Sequence, residues 1–403
     1  MGDDAELLIA GGGLIGLLLG GACAGAGLRV TVVDREDPAT MLGEAFDGRA
    51  SAIAHGSRQV FDALGLWPKI APAAEPILEI RVADGDSPRF LHYDHRDLGD
   101  APLGYIVENR VLRRVLFDHA RDLPSLEFLA PLAVDRVEAS PVAATAALSD
   151  GRRLQARLVA AADGALSPLR RAACIRSLEW RYPQQGIVAT VRHALPHRGI
   201  AVEHFLPAGP FAILPMTGDR SSIVWTERAE LAPRLVALSD DAFGAELAAR
   251  FGDFLGTVEL VGPRWTYPLG LMLAERYAAT RLALVGEAAH LIHPIAGQGL
   301  NLGIRDVAAL AELVIDWRRL GLDIGDDRVL QHYDRWRRFD TLMLAAVTDG
   351  LNRLFSNRIA PLRLARDIGL AMVDRMPPLK RLLMRDAMGV AGDLPRLVRG
   401  QPL

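Results

Sequence analysis

Gly286-Glu287-Ala288-Ala289-His290, continuing through Pro294 to Gly297-Gln298-Gly299-Leu300-Asn301-Leu302-Gly303 and Asp306, gathers acid, imidazole, proline and glycine into one short stretch of a 403-residue chain. A glycine-rich loop entering a helix presents free backbone N–H groups to an electron-rich ligand. Glycine lets the backbone approach that ligand with no side chain between. A second group, Gly11, Gly13 and Gly16, has the spacing G-x-G-x-x-G, and Asp34 follows eighteen residues after Gly16. In a dinucleotide fold the first glycine permits the turn, the second lets pyrophosphate touch the backbone, and the third lets the helix pack on the strand. The acid then accepts hydrogen bonds from a ribose diol. Arg35 beside it either stacks on adenine or faces solvent. Arg49, in Gly48-Arg49-Ala50-Ser51, either holds phosphate or flavin or makes a surface ion pair. His290 reads as a structural hydrogen-bonding residue, and His293 turns either to a pocket or away from it.

Regular elements must hold these residues in place. Residues 6–10 read as an apolar strand, the run after Gly16 to about Gly27 as an Ala/Leu/Gly helix, and 28–33 as a second strand ending at Asp34. Residues 282–285 read as a buried strand ahead of the acidic turn. After it Leu300, Ile304, Val307, Ala308, Ala311, Val314 and Ile315 recur at helical steps. The run from Gly48 to about Leu64 reads as helix-like, and Val107-Glu108-Asn109-Arg110 opens an amphipathic helix carrying Val111, Leu112, Val115 and Leu116. Residues 134–154 read as strands joined by a turn at 149–152, and 158–162 as one more buried strand. From 176 to 275, short runs broken by Pro and Gly read as an antiparallel sheet with a helix near 241–251, and 76–100 shows similar strand and turn signals. Beyond Gly321 the chain reads as helices over 327–355, 361–376 and 379–388. The last two set Arg363, Arg366, Arg375, Lys380, Arg381 and Arg385 against Leu, Ile and Met. That pattern lies on a membrane, docks a partner or packs on its own protein. The fold class is α/β: a Rossmann-like dinucleotide domain over 1–75, 101–175 and 276–320, an inserted antiparallel-sheet domain over 76–100 and 176–275, and a C-terminal helical region over 321–403.

Bulk properties exclude several classes. Half the residues are hydrophobic, a quarter are charged and the net charge is −3, with no basic tract suited to nucleic acid. Two cysteines, Cys23 and Cys174, offer neither a disulfide framework nor metal-ligand spacing, which fits the cytoplasm. Residues 7–28 carry no charge, but many glycines and an acidic lead-in speak for a buried soluble segment rather than a membrane span or signal peptide.

Three motifs stand in order: Gly11-x-Gly13-x-x-Gly16 with Asp34, Asp163-Gly164-x-x-Ser167-x-x-Arg170, and Gly286-Glu287 through Asp306. Together they resemble the fingerprints of the class A flavoprotein aromatic hydroxylases, the para-hydroxybenzoate hydroxylase fold. Gly-Glu-Ala-Ala-His with His293-Pro294-Ile295-Ala296-Gly297-Gln298-Gly299-Leu300-Asn301, Gly48-Arg49-Ala50-Ser51-Ala52 and Ile106-Val107-Glu108-Asn109 are similar to the ubiquinone-biosynthesis hydroxylases within it. The third motif usually reads Gly-Asp, so Gly286-Glu287 is a departure, and Asn109 falls where many relatives carry Arg or Gln.

The resemblance implies FAD, with O2 as co-substrate and NAD(P)H or another electron donor. It implies that Gly11, Gly13, Gly16, Asp34, Arg35, Arg49, Asn109, Asp163, Gly164, Arg170, Gly286, Glu287, Gly297, Gln298, Gly299, Leu300 and Asn301 bind the cofactor. Pro294 and His293 would border the reaction site. Backbone N–H groups of Gly299, Leu300 and Asn301 would stabilise negative charge on the flavin. Phe205, Leu214, Pro215, Trp225 and Tyr267 would cover the substrate and exclude water. The implied reaction, through a flavin C4a-hydroperoxide, hydroxylates the ring of a polyprenylated phenol in ubiquinone biosynthesis. Partners would then be that lipid-like substrate and, through the C-terminal helices, other proteins of the same route or the inner face of the membrane. Hydroxylation of another phenolic or aromatic molecule and a flavin-bound non-catalytic scaffold are the alternatives. No general base is evident.

Overall fold

The computed structural model describes residues 5–43, 47–85, 90–355, 373 and 375–403. The turn residue Asp86 and most of the helix expected over 361–376, with Arg363 and Arg366, lie outside them.

β1 (Ala5–Ala10) and β2 (Val30–Val33) are buried at every position, as strands covered on both faces must be. Between them runs α1 (Leu14–Gly25), apolar on every side and therefore sunk in the core. The segment that had the length of a membrane span is thus the middle of a Rossmann unit. Among the described residues no helix is long and apolar enough to cross a membrane.

After α2 (Pro38–Met41) the chain forms β3 (Ala50–Ala54), α3 (His55–Ala63) and α4 (Trp67–Ile70). The run from Gly48, expected as helix, therefore starts as a strand. Its partner is distant in sequence: β3 pairs antiparallel with β7 (Gly104–Glu108), which also takes β4 (Ala74–Ile77) on its other edge. Tertiary pairing overrides the weak helical preference of this short run.

β5 (Glu79–Asp84) and β6 (Phe90–Asp94) come before β7, and α5 (Asn109–Asp122), β8 (Leu126–Leu129), β9 (Val134–Ala139), β10 (Ala144–Leu148) and β11 (Arg153–Ala161) follow it. After α6 (Pro168–Ala172) come β12 (Ser177–His193), β13 (Ile200–Leu206), β14 (Gly209–Met216), β15 (Arg220–Arg228), α7 (Ala232–Val236), α8 (Asp240–Phe251) and β16 (Val258–Ala274). β17 (Ala278–Ala279), β18 (Leu282–Leu284), β19 (His290–Leu291), α9 (Gln298–Arg319), α10 (Asp327–Phe355) and α11 (Pro377–Ala387) complete the order.

One sheet runs β17-β18-β11-β1-β2-β8, with β18, β11, β1, β2 and β8 parallel and β10 and β9 hanging from β11. The second runs β19-β16-β12-β15-β14-β13-β5-β6 and is antiparallel except where β13 meets β5. β12 and β16 are long strands that bend where their register slips, between Arg181 and Gln185 and again between Val188 and Thr190. Pro183 lies at the first slip and Gly262-Pro263 opposite the second, where a missing N–H or side chain costs least. α9 is buried almost all round between α1, α10 and β3.

Candidate active site

At the first motif Gly11 has φ +108°, and a Cβ there would lie 2.3 Å from the Ala162 carbonyl oxygen. A Cβ on Gly16 would lie 1.8 Å from the Gly11 carbonyl oxygen, so the turn and the helix behind it close only on glycine. Gly13 is different: a Cβ there would meet nothing within 4 Å, and no side chain caps α1. Uncapped N–H groups with open space before them fit a pyrophosphate. Asp34 ends the second strand and accepts from the backbone N–H groups of Gly12 and Glu36, which leaves lone pairs for a ribose hydroxyl. Arg35 is exposed beside it.

The second motif abuts the first. The Asp163 backbone N lies 3.1 Å from the place a Gly11 Cβ would take, and Gly164 turns the chain at φ +85°. One Asp163 carboxylate oxygen is buried without a hydrogen-bond partner. Burial raises this carboxyl above its ordinary range, with Ser167 opposing the shift. An orphaned acceptor suits a hydroxyl of the cofactor's ribityl or ribose chain rather than its phosphates. Arg170, expected to touch the cofactor, is instead a buried clasp: its guanidinium donates to the Ala288 carbonyl at 2.8 Å and the Ala165 carbonyl at 2.9 Å. It joins the second motif to the third because both loops leave unpaired carbonyls in the same buried place.

Asp306 is the hub of the third motif. It accepts from the Gly286 backbone N–H at 3.1 Å, lies 2.6 Å from His290 Nε2 and accepts from Arg337 Nε at 2.8 Å. Asp340 binds Arg337 at 2.8 Å and Arg305 at 3.0 Å. Burial opposes ionisation of Asp306, but His290 and Arg337 outweigh it and hold its carboxyl below the ordinary value. Sequence reasoning placed Asp306 in the motif without its role, since Arg337 and Asp340 come from α10. Glu287 is exposed, yet protein surrounds its carboxyl closely enough that burial raises it. Both facts hold for a group lining a groove, and a groove beside the flavin ribityl chain fits the cofactor.

Beyond the turn, Pro294 accepts from the Gly297 N–H at 2.9 Å, and Gly297 at φ +61° brings the loop against Ala52. The Asn301 side chain is fully engaged: it accepts from Ala54 N–H and donates to the carbonyls of Ala52 and Gly297. Its amide group is therefore not available to a ligand. Nothing lies within 4 Å of a Cβ on Gly299, and no side chain caps α9. Gln298 is buried and donates to the Ala387 carbonyl, so it ties the loop to α11. Asn109 accepts from the Ser51 hydroxyl at 2.6 Å, and the Arg49 guanidinium lies 5.4 Å from the Trp265 ring centre, so both stand at the strand that carries Ala52.

His293 is 0 % exposed, its ring nitrogens have no partner, and it meets the Tyr182 ring edge-on at 5.2 Å. It supports the loop from behind rather than bordering an open pocket. Burial pushes its pKa down to about 4 from 6.5. Between those values the unfolded chain binds the extra proton, so stability falls as pH drops through this window, by about 3 kcal/mol in full. His293→Leu should flatten that decline, as urea unfolding at pH 7 and at pH 4.5 would measure.

The second sheet has two distinct faces. Ile187, Trp225 and Phe211 align in register and pack under α8 with Ile213, Ile223 and Phe243. Trp225, expected over the substrate, is 1 % exposed on this outer face, and Pro215 shares it through its alignment with Ser221. The correction follows from the period of two in a strand, since the pairing register decides which alternate set turns inward. Phe205, Leu214 and Tyr267 belong to the inner set: Phe205 packs with Ile295, Leu214 with Ala50 and Ala52, and Tyr267 lies opposite Gly186. The inner face and the Pro294–Asn301 loop therefore face one another, and the region between them is the candidate cleft.

The family model described as FAD binding domain matches residues 4–338. The chain is 52 % identical over 402 residues to Ubiquinone hydroxylase UbiL of Rhodospirillum rubrum, covering 99 % of this chain and 94 % of that protein. The chain belongs to the FAD-dependent aromatic hydroxylases. It is also 32 % identical over 390 residues to 3-demethoxyubiquinol 3-hydroxylase of Escherichia coli, covering 96 % of this chain and 99 % of that one. The fold matches p-nitrophenol 4-monooxygenase PnpA from Pseudomonas putida with a TM-score of 0.81 at 21 % identity, over 97 % of this chain and 99 % of that one. This flavoprotein hydroxylase uses FAD with O2 and a reductant, and the open, uncapped helix starts and the orphaned Asp163 oxygen fit that cofactor.

Proposed function

We propose that the chain hydroxylates the aromatic ring of a polyprenylated phenol on the way to ubiquinone. The observation that carries this reading is 52 % identity, end to end, with a ubiquinone hydroxylase. The cleft supports it. Its inner-face centre is made by Val188, Val224, Ala212 and Val82 around Glu203, and the nearby Arg220 is engaged by Glu108 at 2.9 Å. A small carboxylate substrate would call for a free cation there, whereas a prenyl chain calls for apolar walls.

Bound FAD, once reduced, supplies the activated oxygen from O2. The chain's own residues do the rest. Backbone N–H groups of Gly299, Leu300 and Asn301 oppose negative charge on the ring system, Pro294 borders it, and Phe205, Leu214 and Tyr267 keep water out. Deleting the gene should accumulate a prenylated phenol lacking one ring hydroxyl. The purified protein should move oxygen from labelled O2 into that compound, and normal quinone with no precursor would sink the reading.

A lipid-like substrate also gives α10 a purpose. Phe339, Leu342, Met343, Val347 and Leu354 are exposed along one side of it, with exposed Arg335 and Arg353 at the margin. This side is suited to an anionic lipid surface. The protein should co-sediment with anionic vesicles less at high salt, and Phe339→Ser should weaken binding several-fold. Failure of the unmodified chain to bind such vesicles would leave this side to a protein partner instead.

A further inference from the structure

One polar side chain interrupts the apolar inner face. Register lines up Val188, Val224, Ala212, Glu203 and Val82 in a single row across β12, β15, β14, β13 and β5. Along β13, Glu203 lies between Ala201 and Phe205 on that face. Ala201 clusters with Ala50 and Ala52 of β3, the strand whose carbonyl the Asn301 side chain holds. Phe205 clusters with Ile295 and stacks on Phe355 at 4.1 Å. The carboxylate between them is therefore aimed across the cleft toward the loop that fits the flavin. Among the described residues it has no hydrogen bond or ion pair, although the residue is half-buried. The strand pattern alone hides this, because a glutamate in an alternating run ordinarily marks the solvent side.

We propose that Glu203 is the general base of the hydroxylation, accepting the hydroxyl proton of the phenol seated against this face. The assignment rests on the phenol-hydroxylase reading above. The ring carbon would take OH from the activated oxygen, whose O–O bond breaks and leaves its electron pair on the oxygen left behind, as the phenol O–H bond breaks and its electron pair moves into the ring as a C=O. The proton forms an O–H bond on the Glu203 carboxylate. The ring C–H proton would pass to the oxygen left behind, which restores the aromatic ring, and Glu203 returns its proton to the ring oxygen. Burial pushes the Glu203 carboxyl up to about 7, where a base is most effective near neutral pH. The other charged or titratable groups on this face are Asp84, one row away beside Phe205, Tyr93 on β6, Tyr267 on β16 and, farther along β12 and β15, Arg192, Arg228 and Arg220, the last held by Glu108 of β7. Arg81, His92 and Glu79 occupy the opposite face of their strands.

The test uses the FAD-loaded protein with the flavin kept oxidised, so that no turnover occurs. The probes are 2-geranylphenol and its methyl ether. Above pH 7 the phenol should bind roughly 10- to 100-fold tighter than the ether, the effect of a hydrogen bond to a charged acceptor. That preference should shrink as pH falls through about 7. In E203Q it should be small and independent of pH. Infrared titration should show a carboxyl band with a midpoint near 7 that E203Q lacks. With reductant and O2 added, E203Q should lose roughly 10²- to 10⁴-fold in kcat, with KM raised by the weaker phenol binding, while still consuming reductant and releasing hydrogen peroxide. An unchanged phenol preference in E203Q, or a carboxyl midpoint in the ordinary range, overturns the assignment even if ring hydroxylation is confirmed. If the parent protein hydroxylates no phenol at all, the functional reading fails with it.

Discussion

Asp306→Ala should lower the unfolding free energy by about 3–5 kcal/mol, the cost of removing one partner from a buried ionic network. The residue is 0 % exposed, and its loss strands His290 and Arg337, which have no water to turn to. Arg337 would keep Asp340, so the network loses its centre and not every bond. The Gly286 turn would lose the acceptor that fixes its N–H, and FAD should dissociate from whatever still folds. Urea unfolding and flavin retention on gel filtration measure the two effects, and a change under 1 kcal/mol would refute the hub. The sign of the pH dependence follows from the depressed carboxyl. The stabilisation is complete above the ordinary value of 3.8 and is lost as pH falls through the lower folded value. The alanine variant should therefore converge with the parent only in strong acid.

Gly16→Ala should be the most damaging single methyl at the cofactor turn. The added carbon would sit 1.8 Å from the Gly11 carbonyl oxygen, a backbone atom that cannot rotate away. Strain of about 1–3 kcal/mol is the usual consequence of such overpacking. FAD affinity should fall about 10- to 100-fold, and the apo-protein should also be less stable. Gly13→Ala isolates the ligand's share, because its methyl would enter open space. It should leave the apo-protein as stable as the parent and weaken FAD alone. Equal behaviour of the two variants in unfolding and in flavin titration would contradict this division of roles.

The local signals in the chain were strongest where backbone geometry itself is the function. Gly11, Gly13, Gly16 and Asp34 are read from spacing because the turn, the helix start and the strand end follow one another without interruption. The same holds for Gly286 to Asn301. The strand at 50–54 reads as helix-like in sequence because its pairing partner β7 lies some fifty residues on, and neither run shows it alone. Trp225 and Pro215 suit a substrate cover in sequence because an apolar residue in a strand is equally suited to either face. Arg170 reads in sequence as a cofactor-binding residue, whereas its guanidinium is occupied by the Ala288 and Ala165 carbonyls.

By itself, then, the sequence determined the glycine turns, the acids that end strands and the helices that follow, since each depends on neighbours a few residues away. It determined the family through the order of those turns. Only the tertiary structure decided which side chains meet across them. The inward set of the second sheet depends on a register fixed by bulges at Pro183 and Gly262-Pro263. The Asp306 network depends on α10 returning to α9, and Glu203 faces the flavin loop only because β13 lies where it does in that sheet. Contacts between residues far apart in the chain are set by packing and pairing summed over the whole molecule, and no local pattern carries that sum.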